Sequence, residues 1–525
     1  MSWKNNFNEN LNYLSDQNVI NRIWSKDYSL WNFNYNIDRL GWLDVLDFMI
    51  KQIDYINDIK NEIWNEGFNQ IVLLGMGGSS LGAEVICNVC ELEDGNPNLI
   101  VIDTMIPESI NQIVEKIDLE RSFFIIASKS GSTLEPLLLY KFFKDKLKKI
   151  IDDEKELGNR FLAITDEGTS LSDLALKDKF RHVLYNPSNI GGRYSVLSYF
   201  GLIPAALCGV NIECLLKRAI SIKEESQLIS VNDNKAASLG AYIAAMAASG
   251  KDKLTLVISG KVKKFGLWLE QLIAESSGKD GVGLIPIYDE PLVSPELYSN
   301  DRFFVYINIE DDNELDLSIQ EFEDYGLPVI KFELKDKYDI GEEFFRWEFA
   351  TALLGMFLNI NPFDQPNGQL SKDIAARFLL EDISSLDNDL PYSFSSLSKM
   401  LSTSQPNNYL AIMAYIHNSE ESNQILQSFR KKIVSDFGIA TTLGYGPRVL
   451  HSTGQLHKGG PNSGLFIQIT ESNIKLDFDI PEENYSFGKF VYSQAFGDRL
   501  ALALNARKVI HIDIGKDILS LKDMK

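Results

Sequence analysis

The sequence predicts an α/β protein: two doubly wound αβα sandwich domains behind a helical N-terminal arm. Three observations carry this. Short runs rich in Val and Ile alternate with longer stretches of helical period, the pattern of parallel sheets covered on both faces. Two of these runs end in glycine, at Gly75 and Gly260, where the chain turns toward a helix. Of 525 residues, 45% are hydrophobic and 24% charged, enough apolar material for a large core and unlike a disordered chain, a small disulfide scaffold or a fibrous repeat.

Residues 1–65, with Trp3, Trp24 and Trp31, read as the helical arm. A first domain over 66–225 is expected to carry strands at 70–74, 98–103, 123–128 and 161–165. A second, over 226–525 with a C-terminal extension, carries strands at 253–259, 303–309, 328–332, 465–469 and 508–514. The polar stretch 221–235, SIKEESQLISVNDNK, breaks the strand rhythm and places the boundary.

Lys plus Arg is 51 and Asp plus Glu is 73, for a formal net charge of −22. No long basic stripe offsets it, which argues against a nucleic-acid partner. An acidic chain repels small anions at long range, so an anionic substrate needs a local positive device. The cysteines pair off in sequence as Cys87 with Cys90 and Cys208 with Cys214, without a clustered His to complete a zinc set. No apolar run approaches the ~18 residues of a membrane span, and the polar N-terminus lacks an apolar h-region, so no membrane partner and a cytoplasmic location are expected.

The first chemical motif follows the first strand: Gly75-Met76-Gly77-Gly78-Ser79-Ser80-Leu81-Gly82. Glycines let backbone approach an anion, and a helix N-terminus supplies unpaired N–H groups. A dinucleotide fingerprint would need glycine where Ser80 stands. The second motif, Ser128-Lys129-Ser130-Gly131-Ser132-Thr133-Leu134-Glu135, packs four hydroxyls and an ammonium into six residues. A helix cap needs one hydroxyl, whereas a phosphate monoester accepts many hydrogen bonds.

At this point the sequence resembles the glucose-6-phosphate isomerase family and its sugar-isomerase (SIS-type) domains. MGGSSLG and SKSGSTLE are similar to the family's glycine-serine and phosphate loops. Four further segments extend the resemblance over about residues 70–470: GGRYSVLS (191–198), QLIAESSGK (271–279), NPFDQPNGQLSK (361–372) and LHSTGQLHKGG (450–460). Pro366 and Asn367 replace the family's Trp and Gly. The histidine segment follows Lys372 instead of preceding it, an order that resembles the isomerase half of bifunctional transaldolase–isomerase proteins.

The resemblance implies reversible isomerisation of glucose 6-phosphate and fructose 6-phosphate through a cis-enediolate. It implies that Glu275 moves a proton between C2 and C1, that Arg193 steadies the enediolate, and that His451 and Lys372 assist ring opening. Phosphate would be held by Gly78, Ser79, Ser128, Lys129, Ser130, Ser132 and Thr133, with Gln271 and Gln365. Independently of the family, Gln271 and Glu275 are four residues apart and share a helix face. A carboxylate on a largely apolar helix can gain basicity by desolvation. No metal and no cofactor are expected, because arginine and hydroxyl donors supply the electrophilic stabilisation. The family further implies a homodimer whose histidine crosses from the neighbouring subunit. The alternative is a sugar-phosphate-binding regulator of the same fold without catalysis, which would not need Glu275, Arg193, Lys372 and His451 together. A dinucleotide dehydrogenase or a glutamine-dependent aminotransferase fits less well: Ser80 interrupts the fingerprint, and residue two is Ser2, where the aminotransferase needs a cysteine nucleophile.

Overall fold

The computed structural model describes residues 2–32, 38–90, 92–381, 394–471 and 476–515. Its strands form three sheets, all parallel in pairing. The first holds β1 (Gln70–Gly75), β2 (Asn98–Ile102), β3 (Ser122–Ala127), β4 (Phe161–Thr165) and β5 (His182–Tyr185) in the order β2-β1-β3-β4-β5. The second holds β6 (Lys253–Ile258), β7 (Ile285–Ile287), β8 (Arg302–Ile309) and β9 (Val329–Leu334) in the order β7-β6-β8-β9. The third holds β10 (Tyr409–Tyr415), β11 (Ala440–Tyr445), β12 (Gly464–Thr470) and β13 (Lys508–Asp513) in the order β11-β10-β12-β13.

The α/β class with helix-flanked parallel sheets is as predicted, but the expectation of two sheets is corrected to three. The C-terminal stretch expected to extend the second domain carries a sheet of its own. Its central strand, YLAIMAY, is apolar without alternation, so periodicity cannot separate it from a buried helix. The other unpredicted strands have local reasons. β5 is a four-residue edge strand, β7 is three residues with a central proline, and β11 (ATTLGY) carries Gly444 in its interior.

The arm does not simply precede the first sheet. Its first helix, Trp3–Asp16, lies on the Lys235–Ala248 helix beside the second sheet, with Trp3 and Phe7 edge-on to Tyr242 at 5.5 and 5.9 Å. Trp31 donates its indole N–H to the carbonyl of Ala352 at 2.7 Å. In the polar stretch expected to be a domain boundary, the Ile212–Glu225 helix ends, residues 226–234 form a non-helical link, and Asn234 caps the next helix by accepting from the Ala237 N–H at 2.9 Å. All four cysteines are free thiols. Among the described residues no helix is long and apolar enough to cross a membrane.

Candidate active site

The carboxyl edge of the first sheet builds one wall of a cavity of about 430 Å³. After β1 the chain makes a 3-10 turn at Gly77–Ser79 and enters the Leu81–Val89 helix. Gly77 sits at φ +54°, where a Cβ would come within 2.6 Å of the His451 carbonyl oxygen. At Gly78 it would meet the Gly192 carbonyl oxygen at 2.1 Å. Both glycines are therefore demanded by neighbours that the turn presses against, the His451 and Arg193 segments.

The loop after β3 supplies Lys129, Ser130 and Thr133 to the cavity wall, and the first loop supplies Gly78 and Ser79. Two predicted phosphate ligands are placed differently. Ser128 is buried beneath the loop and donates to the Thr133 hydroxyl at 3.1 Å; Ser132 is exposed, its hydroxyl 3.0 Å from that of Ser130. They shape the loop without lining the cavity, because a tight strand-to-helix turn cannot point every side chain inward.

Lys129 pairs with Asp166 and donates to the Ser188 carbonyl at 2.9 Å, so its charge is already compensated. The residue that sequence reasoning misses here is Arg39, which lines the cavity from the arm and donates to the same Ser188 carbonyl at 2.8 Å. A lone arginine in a helical arm carries no motif that could flag it. Replacing Arg39 by Gln is expected to raise KM for a phosphorylated substrate about tenfold at unchanged kcat, the scale of one charge-assisted hydrogen bond. Initial-rate kinetics read this directly; an unchanged KM would remove Arg39 from the anion site.

The opposite wall comes from the Phe265–Ser277 helix of the second sheet. Glu275 is 6% exposed. Its Oε1 accepts from Arg193 Nη1 at 3.0 Å, and its Oε2 accepts from Gln271 Nε2 at 2.9 Å. The four-residue spacing thus joins the two side chains directly, and Gln271 also donates to the His451 carbonyl at 2.8 Å. Arg193 is held on every side: Nε donates to Ser276 Oγ at 2.7 Å, and Nη2 donates to the carbonyls of Pro362 and Asp364 at 2.5 and 2.8 Å. Those carbonyls belong to the FDQ segment, so it is Arg193 that ties three sequence-distant motifs together.

Lys279, two residues past this helix, is in the sequence only the last letter of a motif. Its ammonium is buried and donates to the carbonyls of Ser276 and Asn361 at 3.1 and 2.6 Å, with Asp364 at 3.2 Å. Burial, aided by the Arg193 charge, lowers its pKa to about 7.

The 3-10 turn Arg448–His451 lies between β11 and β12 of the third sheet and brings His451 to the cavity. His451 Nε2 and Glu135 Oε1 lie 2.9 Å apart, and Gln494 donates to the same oxygen at 2.6 Å. Glu135 closes the SKSGSTLE motif, which by itself gives it no role. A base oriented by a third group is the arrangement of acid–base machinery in general. Burial alone would raise the Glu135 pKa, but the contact with His451 prevails and holds it down to about 2. Its ordinary value is 4.5, so the stability it contributes is complete above about pH 4.5 and is lost as pH falls toward 2. Glu135→Gln is expected to flatten this acid limb in thermal melts taken over that range, and a limb identical to the parent's would refute the pairing.

His451 belongs to the same chain as Glu135, Glu275 and Lys372. The family resemblance implies a histidine from the neighbouring subunit, whereas here the segment after Lys372 brings His451 of the same chain to this cavity. His457, by contrast, is buried, with its ring against Phe466 at 5.1 Å and away from the cavity. Lys372 and Gln365 line the cavity as exposed side chains. Among the described residues no group of three or more His, Cys, Asp or Glu is placed to hold a metal ion.

Fold and cavity define a class. This is a doubly wound α/β protein whose strand-end cavity faces a hydroxyl-rich anion loop with a buried carboxylate, a guanidinium and an imidazole, the equipment for moving protons on a small anionic substrate. Residues 45–283 match the family model described as phosphoglucose isomerase. The chain is 28% identical over 390 residues to the glucose-6-phosphate isomerase of Campylobacter jejuni, covering 65% of this chain and 92% of that one. It is 28% identical over 381 residues to that of Staphylococcus saprophyticus, covering 64% and 85%. Among solved structures, a hypothetical protein of Thermus thermophilus superposes with a TM-score of 0.62 at 21% identity, over 72% of this chain and 98% of that one. A glucose-6-phosphate isomerase of Chlamydia trachomatis gives 0.59 at 16% identity, over 75% and 88%. By the family-model match and the curated relatives, this chain is similar to glucose-6-phosphate isomerases.

Proposed function

We propose that the chain interconverts glucose 6-phosphate and fructose 6-phosphate by proton transfer through a cis-enediolate. The observation that carries this is the placement of Glu275, Arg193 and the Glu135–His451 pair around one cavity, facing the hydroxyl loop. A volume of about 430 Å³ suits a single sugar phosphate.

In this reading the phosphate lies against Ser79, Ser130 and Thr133 with Arg39 and Lys129 nearby, and Gln271 and Gln365 complete its surroundings. His451, held by Glu135, exchanges the proton that opens the ring, with Lys372 at the ring oxygen end. Glu275 removes the C2 proton and returns it to C1. Arg193 bridges Glu275 and the developing enediolate oxygens, and its three further hydrogen bonds keep it from following either charge. A binding regulator would require the hydroxyl loop but not this acid–base set, so catalysis is the reading favoured.

A coupled assay in the fructose 6-phosphate to glucose 6-phosphate direction tests the activity, and absence of turnover would sink it. A homodimer is the proposed assembly, and its subunits act independently because each carries its own histidine. Specific activity is accordingly expected to stay constant on dilution through the range in which mass photometry shows dissociation. A fall in proportion to the monomer fraction would restore the shared site.

A further inference from the structure

A second cavity, of about 730 Å³, lies on the far side of the Phe265–Ser277 helix. Residues just past the carboxyl ends of β2, β6, β7, β10 and β11 converge on it: Asp103, Gly260, Tyr288, His417 and Gly446. Parallel α/β sheets bind ligands beyond their strands' carboxyl ends, where the strand order reverses, and here the edges of three sheets share one opening.

Among the described residues, the deep cations of its wall have partners and the carboxyl of Glu270 does not. Arg448 pairs with Glu84 and Asp103 at 3.3 and 3.2 Å, Lys264 with Glu84 at 2.9 Å, and Lys263 with Asp289 at 2.6 Å. Arg430 donates to the carbonyls of Tyr288 and Asp289 and to Thr441 and Gln427. Glu270 is 7% exposed, lines this cavity, and makes no hydrogen bond or ion pair among the described residues. It precedes Gln271, so neighbouring residues of one helix serve opposite cavities. Burial raises its pKa to about 8, against the pull of Arg430 and Arg448, leaving a largely neutral carboxyl at pH 7 that both donates and accepts.

We propose that this cavity is a second ligand site, which takes a neutral polyhydroxylated molecule of sugar size through hydroxyl contacts to Glu270. The deep cations already have carboxylate or carbonyl partners, so a phosphate would find no spare charge there. A cationic ligand would meet five basic side chains, Lys116, Lys263, Lys264, Arg430 and Arg448. A polyol brings donors and acceptors that a carboxyl matches, and tyrosine and leucine faces suit its C–H surfaces. Arg448 faces this cavity and His451 the other from a single 3-10 turn, so an occupant would rest against the segment that presents the active-site histidine.

The test uses D-glucose and sorbitol as probes in saturation-transfer NMR on the full chain. Transfer to at least one probe is expected at millimolar concentration, unchanged by saturating fructose 6-phosphate or by Arg39→Gln. It should be lost in Glu270→Leu and in Leu267→Trp, which fills the cavity one turn earlier on the same helix; both variants should keep parental turnover. No transfer to either probe in the parent protein, transfer abolished by fructose 6-phosphate, or transfer intact in both variants would each overturn the site. The inference does not rest on the assigned reaction, and turnover recorded on the same samples judges that reaction separately.

Discussion

Glu275→Gln is expected to lower kcat for fructose 6-phosphate by about 10³-fold, within the range for removing a central acid–base group, while KM changes little. The substitution is nearly isosteric, so the helix and the Gln271 contact can persist. What is lost is the ability to carry a proton between C2 and C1. A second readout isolates that step: exchange of the C2 hydrogen of glucose 6-phosphate with solvent deuterium should fall in parallel with turnover. Near-parental turnover by this variant would end the assignment of Glu275 as the base. Preserved exchange with lost turnover would shift the defect to a step after C2 deprotonation, the delivery of the proton to C1.

The second large effect is expected at Arg193. Its side chain is 4% exposed and makes four hydrogen bonds, one of them to the buried Glu275. Arg193→Met removes the partner and leaves the carboxylate in a site built for a pair, a loss on the order of 3–5 kcal/mol in stability. Turnover should fall by at least about 10²-fold, the scale of deleting one transition-state donor. Stability and catalysis are separable by the double variant. Adding Glu275→Gln removes the orphaned charge, so Arg193→Met/Glu275→Gln should regain part of the lost stability in denaturant melts without regaining activity. If the double variant is no more stable than Arg193→Met, the ion pair is not what Arg193 contributes.

The two loops and the acid–base segments are legible in the sequence because their chemistry is local. A glycine turn into a helix, four hydroxyls within six residues, and a glutamine four residues before a glutamate each state their purpose within one or two helical turns. Glu135 is visible as the end of a motif and silent as to partner, since the sequence separation of 316 residues from His451 carries no local trace. Arg39 and Lys279 escape sequence reasoning for a related reason. One is a lone cation in a helical arm; the other is an ordinary motif lysine whose meaning comes from burial beside Arg193 and Asp364.

The sequence by itself determined the α/β class, the strands of the first sheet other than its short edge, and the residue types of the site. Those depend on periodicity and on chemistry within a few residues, and both survive in one dimension. Tertiary structure alone decided that the C-terminal region forms a third sheet, and that this sheet brings His451 to the cavity of its own chain. It also decided that Ser128 and Ser132 support the loop from below and outside while Arg39 lines the cavity beside Ser79 and Ser130. The physical reason is common to all of these: close approach across hundreds of residues is fixed by how sheets pack. In the sequence that packing leaves only its allowances, such as the two glycines at 77 and 78 where a Cβ would collide with a neighbouring backbone.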